Sequence, residues 1–404
     1  MNIRFRKEEL ELKHLINNRI QQVEMSAIRK FSEAVQQYND GVNLTIGQPD
    51  FPTPDHVKQA GKIAIDTNKT GYTNNAGIPK LRQLACQFVK QKYGLTYSWE
   101  DETIIMNGAT QALDTVFRTI LEEGSEVILP GPAYPGYQPL ILMSGAKPVF
   151  VDTTKNDFKM TADLIKQHIT EKTRCVLLSY PSNPVGTYLT KEELADIATL
   201  LQEEDIFIVS DEIYSELIYE GKHYSIASFP EVRDKSVIIN GLSKSHSMTG
   251  WRVGFLFAPE YLAKEMLKVH LFNTTCASSI SQEAAIEALT NGLDDPIPMR
   301  EEYKKRSDFI YERLVSMGLE VEKPQAAFYI FPSIKQFQLT SVQFAKKLLE
   351  KEHVAVVPGS AFSSIGQNYI RISFASSMDV LEEGLNRMER FVSASKAEKL
   401  TQDT

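Results

Sequence analysis

Between about residue 100 and residue 260, short apolar segments alternate with helical patterns, and this alternation constrains the fold more than any other feature. The segments with the composition of strands are Thr103–Met106, Glu126–Leu129, Pro148–Val151, Arg174–Ser179, Ile206–Ser210, Ser236–Asn240 and Val253–Ala258. Several are apolar on both faces, as strands must be when both faces of a sheet are covered. The pattern predicts an open α/β sheet whose ligands lie at the carboxyl ends of the strands.

Helices are predicted between these strands and after them. Apolar residues at helical spacing indicate a helix over residues 113–121, which Gly124 is expected to end. Thr190 and Glu193 have the spacing of a capping box, so another helix is expected to begin there. Further along, the charged segment Met299–Met317 is typical of an exposed helix.

The chain length predicts two domains. Its 404 residues exceed what one compact core usually accommodates, because single cores stop growing near ~250–300 residues. We expect a large ligand-binding domain over residues 46–285 and a smaller α+β domain over residues 286–404. The helix-rich residues 1–45 are expected to pack with the smaller domain as its N-terminal part. Strands of the smaller domain are predicted at Ala327–Phe331, Val354–Val357 and Tyr369–Phe374.

Charge and composition argue against several classes of partner. A formal net charge of −8 disfavours binding to nucleic acid and to anionic membranes. The three cysteines are scattered, and no apolar run approaches the ~20 residues that span a bilayer. We therefore expect no disulfide framework and no membrane span, and the charged N-terminus without a signal-peptide pattern favours a cytoplasmic location. The seven histidines lack metal-ligand spacing, so no metal site is predicted.

One loop has the pattern of a reactive site. Lys244 lies just beyond an apolar strand, and Arg252 follows it within the ordered pattern Ser-Lys-(x)4-Thr-Gly-Trp-Arg-x-Gly. A lysine amine is a useful nucleophile only when burial or nearby positive charge lowers its pKa. A lone lysine and arginine in a loop are usually solvated. Their ordered placement after a buried strand favours a nucleophile beside a bound phosphate.

Other strand ends carry further polar candidates. Residues 107–110, Asn-Gly-Ala-Thr, open the helix over 113–121, and backbone amides at a helix N-terminus bind anions. Asp211 ends a strand where a sheet presents ligand-facing side chains, although an isolated Asp-Glu pair is usually solvated. Asn183 precedes Pro184, which ends its strand, and the alternative interpretation is an ordinary Asn-Pro turn.

The Lys244 segment resembles the lysine motif of class I/II aminotransferases, which have the aspartate-aminotransferase fold (fold type I of pyridoxal 5'-phosphate enzymes). The resemblance extends from Gly47 to Arg371, with the motifs in family order. It implies a large domain with a mostly parallel seven-stranded sheet plus a smaller α+β domain. It also implies that Lys244 binds pyridoxal 5'-phosphate covalently and moves a proton during catalysis, and that Arg252 binds the cofactor phosphate.

The resemblance assigns the rest of the cofactor site. A carboxylate must keep the pyridine nitrogen protonated, and the family pattern gives this role to Asp211. Tyr214 and Asn183 are expected to bind the phenolic oxygen, Tyr134 to stack on the ring, and the phosphate to lie on the turn that contains the adjacent residues Gly108, Ala109 and Thr110. Many relatives carry a phosphate-binding serine where this chain has Gly241. Ser243 or Ser245 could substitute. His246, two residues after Lys244, is interpreted either as lining the site or as a packed histidine.

Substrate and subunit contacts also follow from the resemblance. Alternation along residues 369–374 turns Arg371 away from the apolar face, and the family uses this arginine to clamp the substrate α-carboxylate. The backbone of Gly47 is expected to contact the same carboxylate, and Asn183 also counts as substrate-binding. Tyr72 resembles the tyrosine that reaches the neighbouring subunit's phosphate, which implies a homodimer with shared active sites.

The implied activity is ping-pong transamination between an amino acid and a 2-oxo acid, a reaction of EC class 2.6.1. Residues 243–252 and 210–216 most resemble the subgroup of the family that acts on N-acetyl-L,L-diaminopimelate in lysine biosynthesis. Two alternatives stay open on the sequence. A pyridoxal-phosphate-dependent β C–S lyase shares this fold and many cofactor residues, and aminotransferase-like domains also serve as effector-binding parts of regulators.

Overall fold

The computed structural model describes residues 12–25 and 27–402. Its strands, in chain order, are β1 Val42–Asn43, β2 Thr103–Met106, β3 Glu126–Gly131, β4 Lys147–Asp152, β5 Thr173–Leu178, β6 Phe207–Asp211, β7 Ser236–Gly241, β8 Gly254–Phe257, β9 Tyr329–Ile330, β10 Val354–Ala355, β11 Val357–Pro358 and β12 Ile370–Ser373. All seven strands predicted between residues 100 and 260 are present.

The helices cover the sheets and connect the strands. In chain order they are α1 Asn18–Gln21, α2 Ala27–Ala34, α3 Asp55–Asp66, α4 Pro79–Tyr93, α5 Ala109–Ile120, α6 Tyr137–Met143, α7 Ala162–Lys166, α8 Lys191–Leu201, α9 Pro230–Arg233, α10 Glu260–Thr274, α11 Ser279–Asn291, α12 Pro296–Ser316, α13 Ser341–Glu352 and α14 Met378–Gln402.

The large sheet has seven strands in the order β2-β8-β7-β6-β5-β3-β4. Strands β3 to β7 pair in parallel, and β8 is antiparallel to both of its neighbours. Alternate residues of β5 enter two different cores: Val176 and Leu178 face one, and Cys175 and Leu177 face the other. Helices therefore cover both faces, and the predicted α/β class with a mostly parallel seven-stranded sheet is confirmed.

A smaller unit packs beside this sheet. It contains the antiparallel sheet β11-β12-β9 and a parallel pair of β1 with β10. Its core draws on α12, α13 and α14 together with Val42 and Leu44 near the start of the chain. Packing changes from the first core to this one between Leu293 and Met299. The domain boundaries at residues 45 and 285 stay predictions.

Two helix predictions were wrong in detail. Helix α5 ends at Ile120, because Leu121 is already extended, and Gly124 lies in the following turn with a positive φ. Helix α12 is not exposed throughout, since Tyr303, Ile310 and Leu314 bury one of its faces in the smaller core. The capping box of α8 is confirmed: the Thr190 hydroxyl accepts from the Glu193 amide, and the Glu193 carboxylate accepts from the Thr190 amide.

Within the described residues, no helix combines the length and the apolar character needed to cross a membrane. The same part of the chain contains no group of histidine, cysteine, aspartate or glutamate side chains arranged to bind a metal ion.

Candidate active site

A cavity of about 1290 Å³ opens at the carboxyl ends of the parallel strands, between the large sheet and the smaller unit. Eleven predicted site residues line it: Gly47, Ala109, Thr110, Tyr134, Asn183, Asp211, Tyr214, Ser243, Lys244, Arg252 and Arg371. Gly108 directly precedes two of them, whereas Tyr72 is 88% exposed and does not line the cavity of its own chain. Residues far apart in sequence therefore converge where an α/β sheet places its ligand.

Lys244 lies in the loop after β7, where it is half-buried and lines this cavity. Its Nζ donates a 2.6 Å hydrogen bond to the Gly47 carbonyl. Burial lowers the pKa of Lys244, the positive charges of Arg371 and Arg252 add to this effect and Asp211 opposes it, and together they bring the pKa to about 8. A neutral amine is a nucleophile and a protonated one is not, so this environment produces a reactive lysine near neutral pH.

The lowered pKa of Lys244 predicts how covalent attachment of an aldehyde cofactor depends on pH. Since only the neutral amine reacts, the rate of attachment to cofactor-free protein should rise with a midpoint near pH 8. An ordinary lysine, with a pKa near ~10.4, would give a rate still rising well above that pH. Stopped-flow absorbance on the cofactor-free protein across the pH range measures this. A rate that first rises near the ordinary lysine value would contradict the assigned environment.

Asp211, the last residue of β6, is a buried carboxylate with two fixed donors. Its Oδ2 accepts from the Tyr137 hydroxyl at 2.8 Å, and its Oδ1 accepts from the Ile213 amide at 3.2 Å. Burial raises the pKa of Asp211 to about 6, against the effect of these hydrogen bonds and of Lys244. A cation beside Asp211 would offset that burial cost, which suits the protonated pyridine nitrogen assigned to it.

Arg252 and Gly108 form one side of a phosphate-sized recess. The guanidinium lies so close over Gly108, whose φ is +80°, that a Cβ there would be 2.4 Å from Nη2. Carbonyls hold the guanidinium in place: Nη1 donates to Thr249 at 2.9 Å and Nη2 to Asn107 at 3.4 Å. No carboxylate bonds it among the described residues. The charge is therefore fixed and available to an anion.

The N-terminus of α5 forms the other side of the recess. Ala109 and Thr110 are its first residues, and their amides have no partner one turn earlier in the helix. Gly254 of β8 packs under this turn, where a Cβ would lie 2.8 Å from the Gly108 carbonyl carbon. Helix amides and a fixed guanidinium together are a fitting donor set for a phosphate group.

Packing explains why this chain has glycine at position 241, where many relatives carry a serine. A Cβ at Gly241 would lie 3.1 Å from both Gly254 Cα and the Val253 carbonyl, so even a serine would have to displace β8. Ser245 does not line the cavity, and its hydroxyl is engaged with His246 Nδ1 at 2.8 Å. His246 is buried and its Nε2 bonds the Gly292 carbonyl, which supports the packed interpretation. Ser243 does line the cavity.

Arg371 is a buried cation whose described partners are all neutral. It is 1% exposed, and its Nη1 and Nη2 donate to Asn183 Oδ1 at 3.0 Å and to the Thr45 carbonyl at 2.7 Å. Its Nε is unpaired, and the rings of Tyr329 and Phe362 lie 4.4 and 5.1 Å from the guanidinium carbon. A buried charge without a counterion is costly, so this site is prepared for a carboxylate.

Sequence reasoning missed three contributors to the site. Tyr137 bonds Asp211, and Tyr329 bonds the Tyr214 hydroxyl at 2.9 Å. Residues 22–25 and 27–29 of the N-terminal segment also line part of the cavity. The only available signal was the position of Tyr137, one helical turn after the predicted ring-stacking Tyr134.

Residues 39–388 match the family model of aminotransferase class I and II. The chain therefore belongs to that family and is an aminotransferase. It is 59% identical over 381 residues to a probable N-acetyl-LL-diaminopimelate aminotransferase of Bacillus subtilis, covering 94% of this chain and 96% of that protein. An aspartate aminotransferase of Pyrococcus abyssi is 39% identical, with coverages of 94% and 99%.

Solved structures agree with this membership. The aspartate aminotransferase from Thermus thermophilus with maleate superimposes with a TM-score of 0.89 at 35% identity, covering 93% of this chain and 99% of that one. An aromatic aminotransferase from Pyrococcus horikoshii gives 0.87 at 39% identity, with coverages of 91% and 99%. The family is generally dependent on pyridoxal phosphate, uses amino acids and 2-oxo acids, and is commonly dimeric. These findings do not favour the lyase and regulator alternatives.

Proposed function

We propose that this aminotransferase uses pyridoxal 5'-phosphate bound at Lys244 and acts on N-acetyl-L,L-diaminopimelate in lysine biosynthesis. The observation that supports the substrate is the 59% identity to the Bacillus subtilis protein over 94% of the chain. The sequence resemblance of residues 210–216 and 243–252 leads to the same subgroup.

The cofactor assignments rest on the fit between chemical groups and described residues. Arg252 and the Gly108–Thr110 turn would bind the phosphate, with Ser243 beside them, and Asp211 would bind the pyridine nitrogen. Asn183 uses its amide oxygen for Arg371, which leaves its Nδ2 free to donate to the phenolic oxygen alongside Tyr214. Tyr134, which forms a T-shaped pair with Tyr137 at a centroid distance of 5.3 Å, would stack on the pyridine ring.

Bound pyridoxal phosphate supplies an electron sink for the carbanion that forms at the substrate Cα. The chain's own groups do the remaining work. Arg371 and the Gly47 backbone would orient the substrate carboxylate, and the neutral amine of Lys244 would take the proton from Cα and hold it for return to the product. Asp211 would remain ionised next to a bound pyridine ring, and its negative charge would keep the ring nitrogen protonated.

Two further parts of the proposal concern assembly and location. Tyr72 is exposed and does not line the cavity of its own chain, as expected if it reaches the phosphate of a neighbouring subunit in a homodimer with shared active sites. A cytoplasmic location stays a prediction from the sequence.

The substrate proposal predicts a ranking of amino donors. With 2-oxoglutarate as acceptor, we expect kcat/KM for N-acetyl-L,L-diaminopimelate to exceed that for L-aspartate and for unacetylated L,L-diaminopimelate by at least about tenfold, about 1.4 kcal/mol of transition-state binding. Glutamate formation measures all three donors in one assay. L-Cystathionine without acceptor is the control for lyase activity and should release no pyruvate. A preference for aspartate would overturn the substrate assignment.

A further inference from the structure

Tyr329 connects the two halves of the active-site cavity. It lies on β9 of the smaller unit and is 1% exposed, and its hydroxyl reaches the hydroxyl of Tyr214, which follows β6 of the large sheet, at 2.9 Å. The two rings also pack in a T-shaped arrangement, with their centroids 5.9 Å apart. Tyr329 therefore belongs to the smaller unit but contacts Tyr214, a residue of the large-sheet unit that is proposed to bind the cofactor.

The ring of Tyr329 has a second contact, with the buried guanidinium of Arg371. The guanidinium carbon lies 4.4 Å from the ring centroid, closer than to the ring of Phe362 at 5.1 Å. Cation–π attraction is strongest where water is excluded, and Arg371 is 1% exposed. The ring therefore helps to hold a cation whose hydrogen-bond partners, Asn183 and Thr45, are neutral.

The proposed function determines which of the two hydroxyls, that of Tyr329 or that of Tyr214, donates the hydrogen bond between them. A phenol has one hydrogen to donate, and the role assigned to Tyr214 commits that hydrogen to the cofactor's phenolic oxygen. The bond between the two hydroxyls must then run from Tyr329 to Tyr214. Consecutive hydrogen bonds of this kind polarise and strengthen one another in a low-dielectric site.

We propose that Tyr329 is a positioning residue with two separable roles: its ring holds Arg371 for the substrate carboxylate, and its hydroxyl strengthens Tyr214 as a donor to the cofactor. The proposal rests on the proposed function for the roles of Arg371 and Tyr214. Besides Arg371, the charged or titratable groups that act on one of the two tyrosines include Asp211 and Tyr134, and Lys244 Nζ lies 5.8 Å from the Tyr214 ring. Substitutions at Tyr329 leave all of them in place.

Two substitutions separate the roles in the holoenzyme. Tyr329→Phe keeps the ring and removes the hydroxyl, and Tyr329→Leu removes both. Tyr303→Phe is the matched control, because Tyr303 is equally buried in the smaller core and its hydroxyl bonds Asp50 at 3.0 Å, away from the cavity. The readouts are the pH titration of the cofactor's visible absorbance and the dissociation constant of maleate, the ligand in the Thermus thermophilus structure.

We expect Tyr329→Phe to raise the pKa of the bound chromophore by roughly 0.3–1 unit, because a weaker donor stabilises the deprotonated form less. Its affinity for maleate should change by less than about twofold. Tyr329→Leu should show the same pKa change and bind maleate between about threefold and thirtyfold more weakly. Tyr303→Phe should leave both quantities at the wild-type values.

An unchanged chromophore pKa in Tyr329→Phe would overturn the role of the hydroxyl, and unchanged maleate affinity in Tyr329→Leu would overturn the role of the ring. If Tyr329→Leu does not fold, Tyr329→Met decides the second point in the same way. Tyr214→Phe and Arg371→Leu identify the source of a failure. If they shift the chromophore pKa and maleate binding while the Tyr329 variants do not, only this inference fails. If they also change nothing, the proposed site assignments fail.

Discussion

Lys244→Ala is expected to reduce amino-group transfer by more than about 10⁴-fold, because one side chain both attaches the cofactor and moves the proton. The structure supplies the reason for this dependence. Lys244 lines the cavity, and burial together with Arg371 and Arg252 lowers its pKa to about 8. Steady-state and single-turnover assays of the variant against wild type measure the loss.

The control for this prediction is Lys147→Ala. Lys147 is an exposed lysine at the start of β4, with a long 3.5 Å ion pair to Glu126, so its loss should leave activity and folding unchanged. Lys244→Ala should still take up cofactor non-covalently through the recess formed by Arg252 and the Gly108–Thr110 turn. Normal turnover by Lys244→Ala would rule out its assigned role.

Arg371→Leu is expected to lower kcat/KM for amino acids roughly 30-fold to 4,000-fold, which corresponds to a loss of about 2–5 kcal/mol in transition-state stabilisation. Arg371 is buried and bonds only neutral groups among the described residues, so the substrate carboxylate is its missing counterion. Replacement by leucine removes an uncompensated charge, and we expect no large fall in the thermal midpoint. Kinetics with an amino-acid donor and a thermal melt of each protein test both parts.

Arg371→Lys provides the conservative comparison. It keeps a positive charge but loses the planar pair of donors, so it should recover only part of the activity lost in Arg371→Leu. An amine donor without a carboxylate, such as a simple alkylamine, should react equally poorly with wild type and both variants. Arg371→Leu with wild-type kcat/KM for amino acids would contradict the clamp.

The sequence allowed the large sheet to be predicted because its strands are short, apolar and separated by helical patterns. Strands buried on both faces differ sharply in composition from what surrounds them, and all seven were located. Motif order along the strand ends then placed Lys244, Asp211 and Asn183 in one site. The structure brings these residues together at one cavity, although their chemical roles stay proposals.

Features set by tertiary packing could not be predicted. The alternation of residues along β12 predicted that Arg371 points away from the apolar face of the strand. It could not show that Arg371 is nevertheless buried, with the rings of Tyr329 and Phe362 against its guanidinium. Nor does local sequence show that Tyr329 reaches Tyr214 from another unit. Gly124 was given a helix-ending role because glycine is common there, whereas Leu121 had already left the helix.

Gly241 shows how a departure from a family pattern acquires a physical reason. From the sequence alone, Gly241 could be described only as the absence of a serine that many relatives have. In the structure it lies opposite Gly254, which in turn packs against the Gly108–Thr110 turn. These small residues let β7, β8 and the helix terminus approach closely, and the phosphate recess lies at that contact.

Peptide mapping after borohydride reduction would show whether the cofactor is attached covalently to Lys244. Reduction makes the bond between cofactor and lysine permanent, and mass spectrometry of a digest then identifies the modified residue. We predict the cofactor mass on the peptide that contains Lys244 and no modification in Lys244→Ala. Modification of a different lysine, or of no lysine in a protein that transfers amino groups, would contradict the assignment of Lys244.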